Sequence, residues 1–182
     1  MSYKRWLLVS TAIFVAGLLL GLVTPVDLLM TDEAMAYIGE LAEVIVPFSA
    51  ATAVFIFVKN ALVLLFSFAL SPLLCLMPVL SLTLNGVVVT LLSGVVIQEE
   101  SLGFLLMGLL PHGILEIPAL IMGQAAALSF GVMVILAIFR REKRAALLPN
   151  LKQNLKYLAI AVALFLPAAF IETYVTSWLL IR

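Results

Sequence analysis

The sequence predicts an all-α, polytopic membrane helix bundle formed by a single transmembrane domain over residues 1–182. Hydrophobic residues make up 65 % of the chain and charged residues only 11 %, and the mean hydropathy is +1.27. A soluble core of this size cannot bury so much apolar surface. The apolar runs are also too long for barrel strands. The formal net charge is zero, so the composition gives no indication of nucleic-acid binding, and the lone Cys75 excludes a disulfide framework.

The first apolar run, Trp6 to Val23, follows two basic residues. It lacks the small-residue pattern of a signal cleavage site, so we expect an uncleaved first span. Gly17 and Gly21 lie four residues apart within it, a spacing typical of close packing between membrane helices.

Residues 24–47 carry five acidic residues and no basic residue, with apolar residues at helical spacing. This pattern predicts an amphipathic helix on the outer membrane surface at about 28–46. The next apolar stretch, 48–97, is long enough for two antiparallel spans. We expect a tight turn between them at Ser71-Pro72.

The third apolar stretch, 103–139, determines the predicted topology. The stretch that follows it, 140–156, contains six basic residues and one acidic residue, so the positive-inside rule makes it a basic cytoplasmic loop, on the same side as the N-terminus. Residues 103–139 must then cross an odd number of times, although as one helix they would measure about 55 Å. We therefore predict five full spans of the cell membrane plus a re-entrant or broken helix at 103–123. The last span, 157–181, leaves the C-terminus outside.

The predicted break lies at Pro111, Gly113 and Pro118. Each proline lacks a backbone N–H and obstructs the preceding turn, and glycine tolerates unusual backbone angles. Beyond the break, small residues recur at every fourth position, which predicts a smooth helix face packed in the bundle interior. These residues are Ala119, Gly123, Ala127 and Gly131.

Ionisable residues inside membrane spans are costly and are functional-site hypotheses by default. This chain has four such residues, accompanied by two asparagines. Counted along helices from the outer ends of their segments, most of them come to similar depths. We predict one buried polar cluster in the outer half of the bundle, formed by Lys59, Asn60, Asn85, His112, Glu116 and Glu172.

Simpler interpretations of these residues stay open. Lys59 fits an ion pair with Glu116 or Glu172, or a side chain that snorkels to the interface. The asparagines fit hydrogen bonds between helices, and Glu172 with Thr176 fits a polar packing strip. His112, Glu116 and Glu172 are the only metal-ligand candidates, but a catalytic zinc site normally shows three clear protein ligands and the chain has a single histidine. We therefore predict no metal, no other cofactor and no catalytic residue.

The stretch from Pro111 to Ala119, PHGILEIPA, resembles the signature of the stage II sporulation protein M family. Lys59-Asn60, Asn85-Gly86 and the run from Ala168 to Glu172 are similar to further elements of that family. The resemblance covers about residues 48–180. It implies a polytopic, non-enzymatic membrane component that, in spore formers, works with cell-wall hydrolases during engulfment. It assigns no chemistry to the matching positions, which are Asn60, Asn85, His112, Gly113, Glu116, Pro118 and Glu172.

Three classes of function stay open. We expect a non-enzymatic scaffold or partner subunit of a membrane or cell-envelope complex, because almost none of the chain lies outside the bilayer. Its partners would be the lipid bilayer and other membrane or envelope proteins. A small transporter or channel that uses the Lys/His/Glu cluster is the alternative, with a homo-oligomer supplying the duplication that the chain lacks. An intramembrane hydrolase is the third class.

Overall fold

A computed structural model describes residues 3–25 and 46–181. The long helices are α1 (Tyr3–Val23), α2 (Ala50–Leu70), α3 (Leu76–Glu99), α4 (Leu102–Phe139) and α5 (Leu147–Phe170). A 3-10 helix, Arg141–Ala146, precedes α5, and a π-helix, Ile171–Thr176, continues it into the short α6, Ser177–Ile181. These residues contain no strand, which confirms the all-α class. The sequence predicts a surface helix at about 28–46. Residues 28–45 of that range lie outside the described residues.

Within the described ranges 3–25 and 46–181, five helical segments are long and apolar enough to cross a membrane. They are α1 to α4 and the continuous helical segment Arg141–Ile181. Their number agrees with the five full spans predicted from the sequence. The tight turn expected after α2 is present from Ser71 to Cys75. Leu74 and Cys75 adopt left-handed backbone angles there, with φ of 54° and 56°, and they reverse the chain within a few residues.

The predicted re-entrant or broken helix at 103–123 is wrong. α4 is one helix of 38 residues that contains both Pro111 and Pro118, and Gly113 is a buried helical residue. A proline inside a helix removes one hydrogen bond, but neighbouring helices and local adjustments compensate for it in a membrane bundle. A helix of about 57 Å can cross once by tilting or by extending beyond the hydrocarbon layer, so the excess length does not require a turn.

The basic segment is helical from residue 141 to residue 156, where the sequence predicted a loop over 140–156. Arg141–Ala146 forms the 3-10 helix, and α5 begins at Leu147, ten residues before the expected start of the last apolar segment at Tyr157. Arg144 donates from Nε to the carbonyl of Ala137 at 3.1 Å. This bond satisfies one of the carbonyls that the end of α4 leaves without a helical partner.

α1 and α3 cross at a glycine contact. A Cβ atom at Gly17 would meet the backbone of Thr83, and one at Gly86 would meet the backbone oxygen of Phe14. Gly21 lies against Thr90 in the same way, with 2.7 Å from its hypothetical Cβ to the Thr90 Cβ. The Gly17/Gly21 packing face predicted from the sequence is confirmed, because these backbones approach more closely than any side chain allows.

α4 is the central helix, in contact with every other long helix. The predicted small-residue face lies in the interior, where Ala119 and Ala127 are fully buried. A Cβ atom at Gly123 would meet the side chain of Leu64, and one at Gly131 would meet the turn at Ser71. Small residues therefore let α2 and the turn after it approach the central helix.

Candidate functional site

Three ionisable side chains meet where α4 faces the π-helix. His112 and Glu116 lie one turn apart on α4, and Glu172 belongs to the π-helix. One ligand atom of each residue lies within 4.8 Å of those of the other two. All three side chains are partly buried. The sequence-predicted residues His112, Glu116 and Glu172 are thus brought together by two elements.

The π-helix determines how Glu172 and Thr176 are placed. Its wide turn follows Pro167, which lies in the last turn of α5 and has no backbone N–H to donate. Both Glu172 and Thr176 reach His112 from this segment. The carbonyl of Thr173 also accepts the backbone N–H of Phe48 at 3.3 Å, which ties the start of α2 to the same place. Single π-turns of this kind occur frequently at functional sites.

Two hydrogen bonds orient the side chains on α4. Asn60 on α2 donates from Nδ2 to Oε1 of Glu116 at 3.0 Å. The Nδ1 atom of His112 contacts the hydroxyl oxygen of Thr176 at 3.4 Å. Glu116 and His112 are therefore each held by a residue of another helical segment.

The site combines two mutually repelling carboxylates with a nearby cation. Glu116 and Glu172 interact electrostatically with each other, and Lys59 attracts both. The contact partner of Glu116 from α2 is Asn60, whereas the sequence left open an ion pair with Lys59. Because opposite charges interact strongly in a low-dielectric interior, Lys59 offsets part of the negative charge.

Lys59 and Asn85 are exposed on the side of the bundle, whereas the sequence predicted both to be buried. Asn85 donates to the carbonyl of Ser81 on its own helix at 2.8 Å, so this bond does not join two helices. Both side chains nevertheless line the approach to Glu116.

Two cavities lead to Glu116. One of about 160 Å³ lies between α2 and α3, and its lining includes Lys59, Asn60 and Asn85. The other, of about 80 Å³, lies between α1, α3 and α4 and is lined by Asn85, His112 and Glu116. Each is large enough for water. The arrangement can therefore hold a hydrated cation or proton next to two carboxylates, or a polar group of a second molecule.

A polar layer centred on the fully buried Gln124 was not predicted from the sequence. Ser67 donates to Oε1 of Gln124 at 2.6 Å, and Nε2 of Gln124 donates to the hydroxyl of Ser81 at 2.8 Å. This layer joins α2, α3 and α4. An uncharged glutamine beside Gly123 in an apolar segment is the signal that could have found it.

A second polar layer lies nearer to the Arg140 end of the bundle. Asn154 is buried and donates to the hydroxyl of Ser129 at 3.1 Å and to Oδ1 of Asn150 at 3.0 Å. Nearby, the Tyr3 hydroxyl donates to the carbonyl of Met122 at 2.7 Å. These residues hold α1 and α5 against α4 and do not contact the cluster around Glu116.

Comparison with known proteins gives two matches. The family described as Stage II sporulation protein M matches residues 10–177. An uncharacterized protein of Methanocaldococcus jannaschii is 32 % identical over 98 residues, which cover 53 % of this chain and 55 % of the archaeal protein. The match thus spans about half the length of that relative. No solved structure matches the chain significantly.

Proposed function

Because the chain belongs to the stage II sporulation protein M family, we propose that it is a non-enzymatic partner subunit of a membrane or cell-envelope complex. In this proposal the bundle lies in the cell membrane with the basic 140–156 segment cytoplasmic and the C-terminus outside. Its role is to present a fixed surface to another membrane protein.

The observation that carries the proposal is a polar opening on the side of the bundle. Lys59 and Asn85 lie exposed near the middle of two apolar helices, α2 and α3, on either side of the cavity of about 160 Å³. These two helices contact each other less than either contacts α4. A cation and an amide that face lipid at this depth are costly. A neighbouring membrane protein with an acceptor group would remove that cost.

The rigidity of the bundle supports a scaffold. The backbone contacts at Gly17 and Gly86 join α1 to α3. The buried hydrogen bonds of Gln124 join α2, α3 and α4, so the four helices are held in one arrangement. Interhelical packing of small residues and buried hydrogen bonds favour a single geometry of membrane helices. A surface that does not change shape loses little conformational entropy when a partner binds.

Site-directed photocrosslinking in native membranes tests this function. A photoreactive residue at Val63, which lines the opening, should capture one membrane protein reproducibly. The same residue at Leu8 on α1, which is 71 % exposed, should not capture it. Lys59→Leu should abolish the adduct at Val63, whereas Lys4→Leu should leave it. Adducts with lipid alone, or an adduct unaffected by Lys59→Leu, would contradict the proposal.

Transport is the second candidate function, favoured by the two cavities that meet at Asn85 and Glu116. A carboxylate next to water-sized spaces between membrane helices is a recurring element of proton and ion pathways. Proteoliposomes that contain the wild-type chain would then show a pH-dependent solute or proton flux that Glu116→Gln removes. Absence of wild-type flux across a broad panel of ions and small solutes would contradict this candidate.

A further inference from the structure

We propose that His112, Glu116 and Glu172 form a binding site for a single divalent transition-metal ion, with Zn²⁺ as the best match to the donor atoms. This site does not depend on the partner role proposed above, and either proposal can fail without the other.

The donor geometry is close to that of a tetrahedral site. Zinc binds imidazole nitrogen and carboxylate oxygen at about 2.0–2.2 Å, which places neighbouring donor atoms roughly 3.4 Å apart. The three donor atoms here already lie within 4.8 Å of one another. Small rotations of the two glutamate side chains close the remaining difference. α4 and the π-helix already face each other at this level.

The residues around the three donors have the arrangement expected around a metal. Metal-bound histidine usually donates its second ring N–H to an oxygen, and metal-bound carboxylates are hydrogen-bonded in turn. The hydroxyl oxygen of Thr176 lies 3.4 Å from Nδ1 of His112, and in the tautomer that carries its proton on Nδ1 the Nε2 lone pair would be available for a metal. Asn60 donates to Oε1 of Glu116 at 3.0 Å, which leaves the second carboxylate oxygen available for a metal. Both supporting residues come from segments other than α4.

The charges at the site also favour a cation. With both carboxylates ionised, Lys59 offsets only one of the two negative charges that it attracts. Buried carboxylates that repel each other are stabilised when a divalent ion bridges them. The imidazole selects transition metals over Mg²⁺ and Ca²⁺, which prefer sites made wholly of oxygen.

The adjoining cavities provide the open coordination position. Glu116 lines both the 80 Å³ and the 160 Å³ cavity, and each is large enough for a water molecule. Three protein ligands plus one water are typical of an accessible zinc site, whereas a structural site is closed by four protein ligands.

Metal binding by the untagged full chain in lipid nanodiscs tests the inference. After treatment with chelator and dialysis against Zn²⁺, elemental analysis should find about one zinc ion per chain, and zinc should raise the melting temperature. Glu99→Gln, a matched control at the end of α3, should behave as the wild type. His112→Ala and Glu172→Gln should lose the ion, and Thr176→Val should bind it about 10- to 100-fold more weakly.

The single histidine allows a test on the wild type alone, in case the site variants do not fold. Diethyl pyrocarbonate acylates an unbound imidazole, and mass spectrometry can follow this reaction at His112, the only histidine in the chain. Zinc should protect His112 from acylation. Equal acylation with and without zinc, a wild-type zinc content at background, or unchanged affinity in folded Glu172→Gln would each overturn the proposal.

Discussion

Asn60 on α2 donates a hydrogen bond of 3.0 Å to the carboxylate of Glu116 on α4. This bond joins two apolar helices at the level where Lys59 and Glu172 also act on Glu116. A carboxylate left without a donor inside a membrane bundle is costly. The bond therefore fixes the rotamer of Glu116 and the distance between α2 and α4 together, and the variants below test its energetic consequence.

Asn60→Ala is expected to destabilise the bundle by about 1–3 kcal/mol, because Glu116 loses its donor while it stays partly buried. Asn85→Ala is the matched control, since Asn85 bonds only to Ser81 on its own helix among the described residues, and its effect should be smaller. Equilibrium unfolding in mild detergent measures both. Equal losses of stability would show that the bond to Glu116 contributes nothing specific.

Gly86→Ala should destabilise the α1–α3 crossing by about 1–3 kcal/mol through overpacking, because the added methyl group meets backbone atoms of Phe14, Gly17 and Leu18. The same change at Gly94 meets nothing within 4 Å. Alanine forms helix better than glycine, so Gly94→Ala should be neutral or stabilising. A melting temperature for Gly86→Ala at or above that of Gly94→Ala would exclude the close crossing.

Ser67→Ala should cost about 0.6 kcal/mol, the average for hydrogen bonds between membrane helices, and at most about 1.7 kcal/mol. It leaves Oε1 of the fully buried Gln124 without its 2.6 Å donor. Ser93 provides the control, because its hydroxyl donates to the carbonyl of Val89 on its own helix. In thermal unfolding, Ser67→Ala should lower the melting temperature more than Ser93→Ala does. A larger decrease for Ser93→Ala would contradict the Gln124 layer.

Pro111→Ala tests the continuity of α4. Alanine restores an N–H that can donate to the carbonyl four residues earlier, and proline in a helix interior costs about 3 kcal/mol. The free energy of unfolding should therefore stay the same or rise by at most about 3 kcal/mol. Thermal unfolding measures this change. Misfolding or loss of helicity by circular dichroism would instead indicate that a break at Pro111 is required.

The number of spans and the turn at Ser71 could be predicted because hydropathy and length alone decide them. The unbroken helix through Pro111 and Pro118 could not be predicted. The intrinsic helix propensity of proline reflects the lost hydrogen bond, but it does not include the neighbouring helices that compensate for that loss. The π-helix that carries Glu172 depends on packing against α4, and sequence periodicity does not predict it.

The grouping of His112 with Glu116 follows from their spacing of one helical turn. Asn60 and Glu172 join them only because α2 and the π-helix pack on the same face of α4. The depth of each residue along its helix indicates that such residues lie at a similar level, but it does not indicate which helix faces they occupy. The exposure of Lys59 and Asn85 depends on how each helix is rotated about its axis. Gln124 could not be singled out because it carries no charge, and it is ionisable residues in membrane spans that mark functional sites.

The central claim is that side chains of α4 and the π-helix meet at one place in the bundle, and crosslinking between positions 116 and 172 tests it most directly. In a Cys75→Ser background, which removes the only native thiol, Glu116→Cys and Glu172→Cys are combined and treated with dibromobimane, which fluoresces when it joins two close thiols. We predict rapid intramolecular crosslinking in native membranes and none when Glu172→Cys is replaced by Glu99→Cys. Two freely alkylated thiols at positions 116 and 172, with no crosslink, would contradict the account.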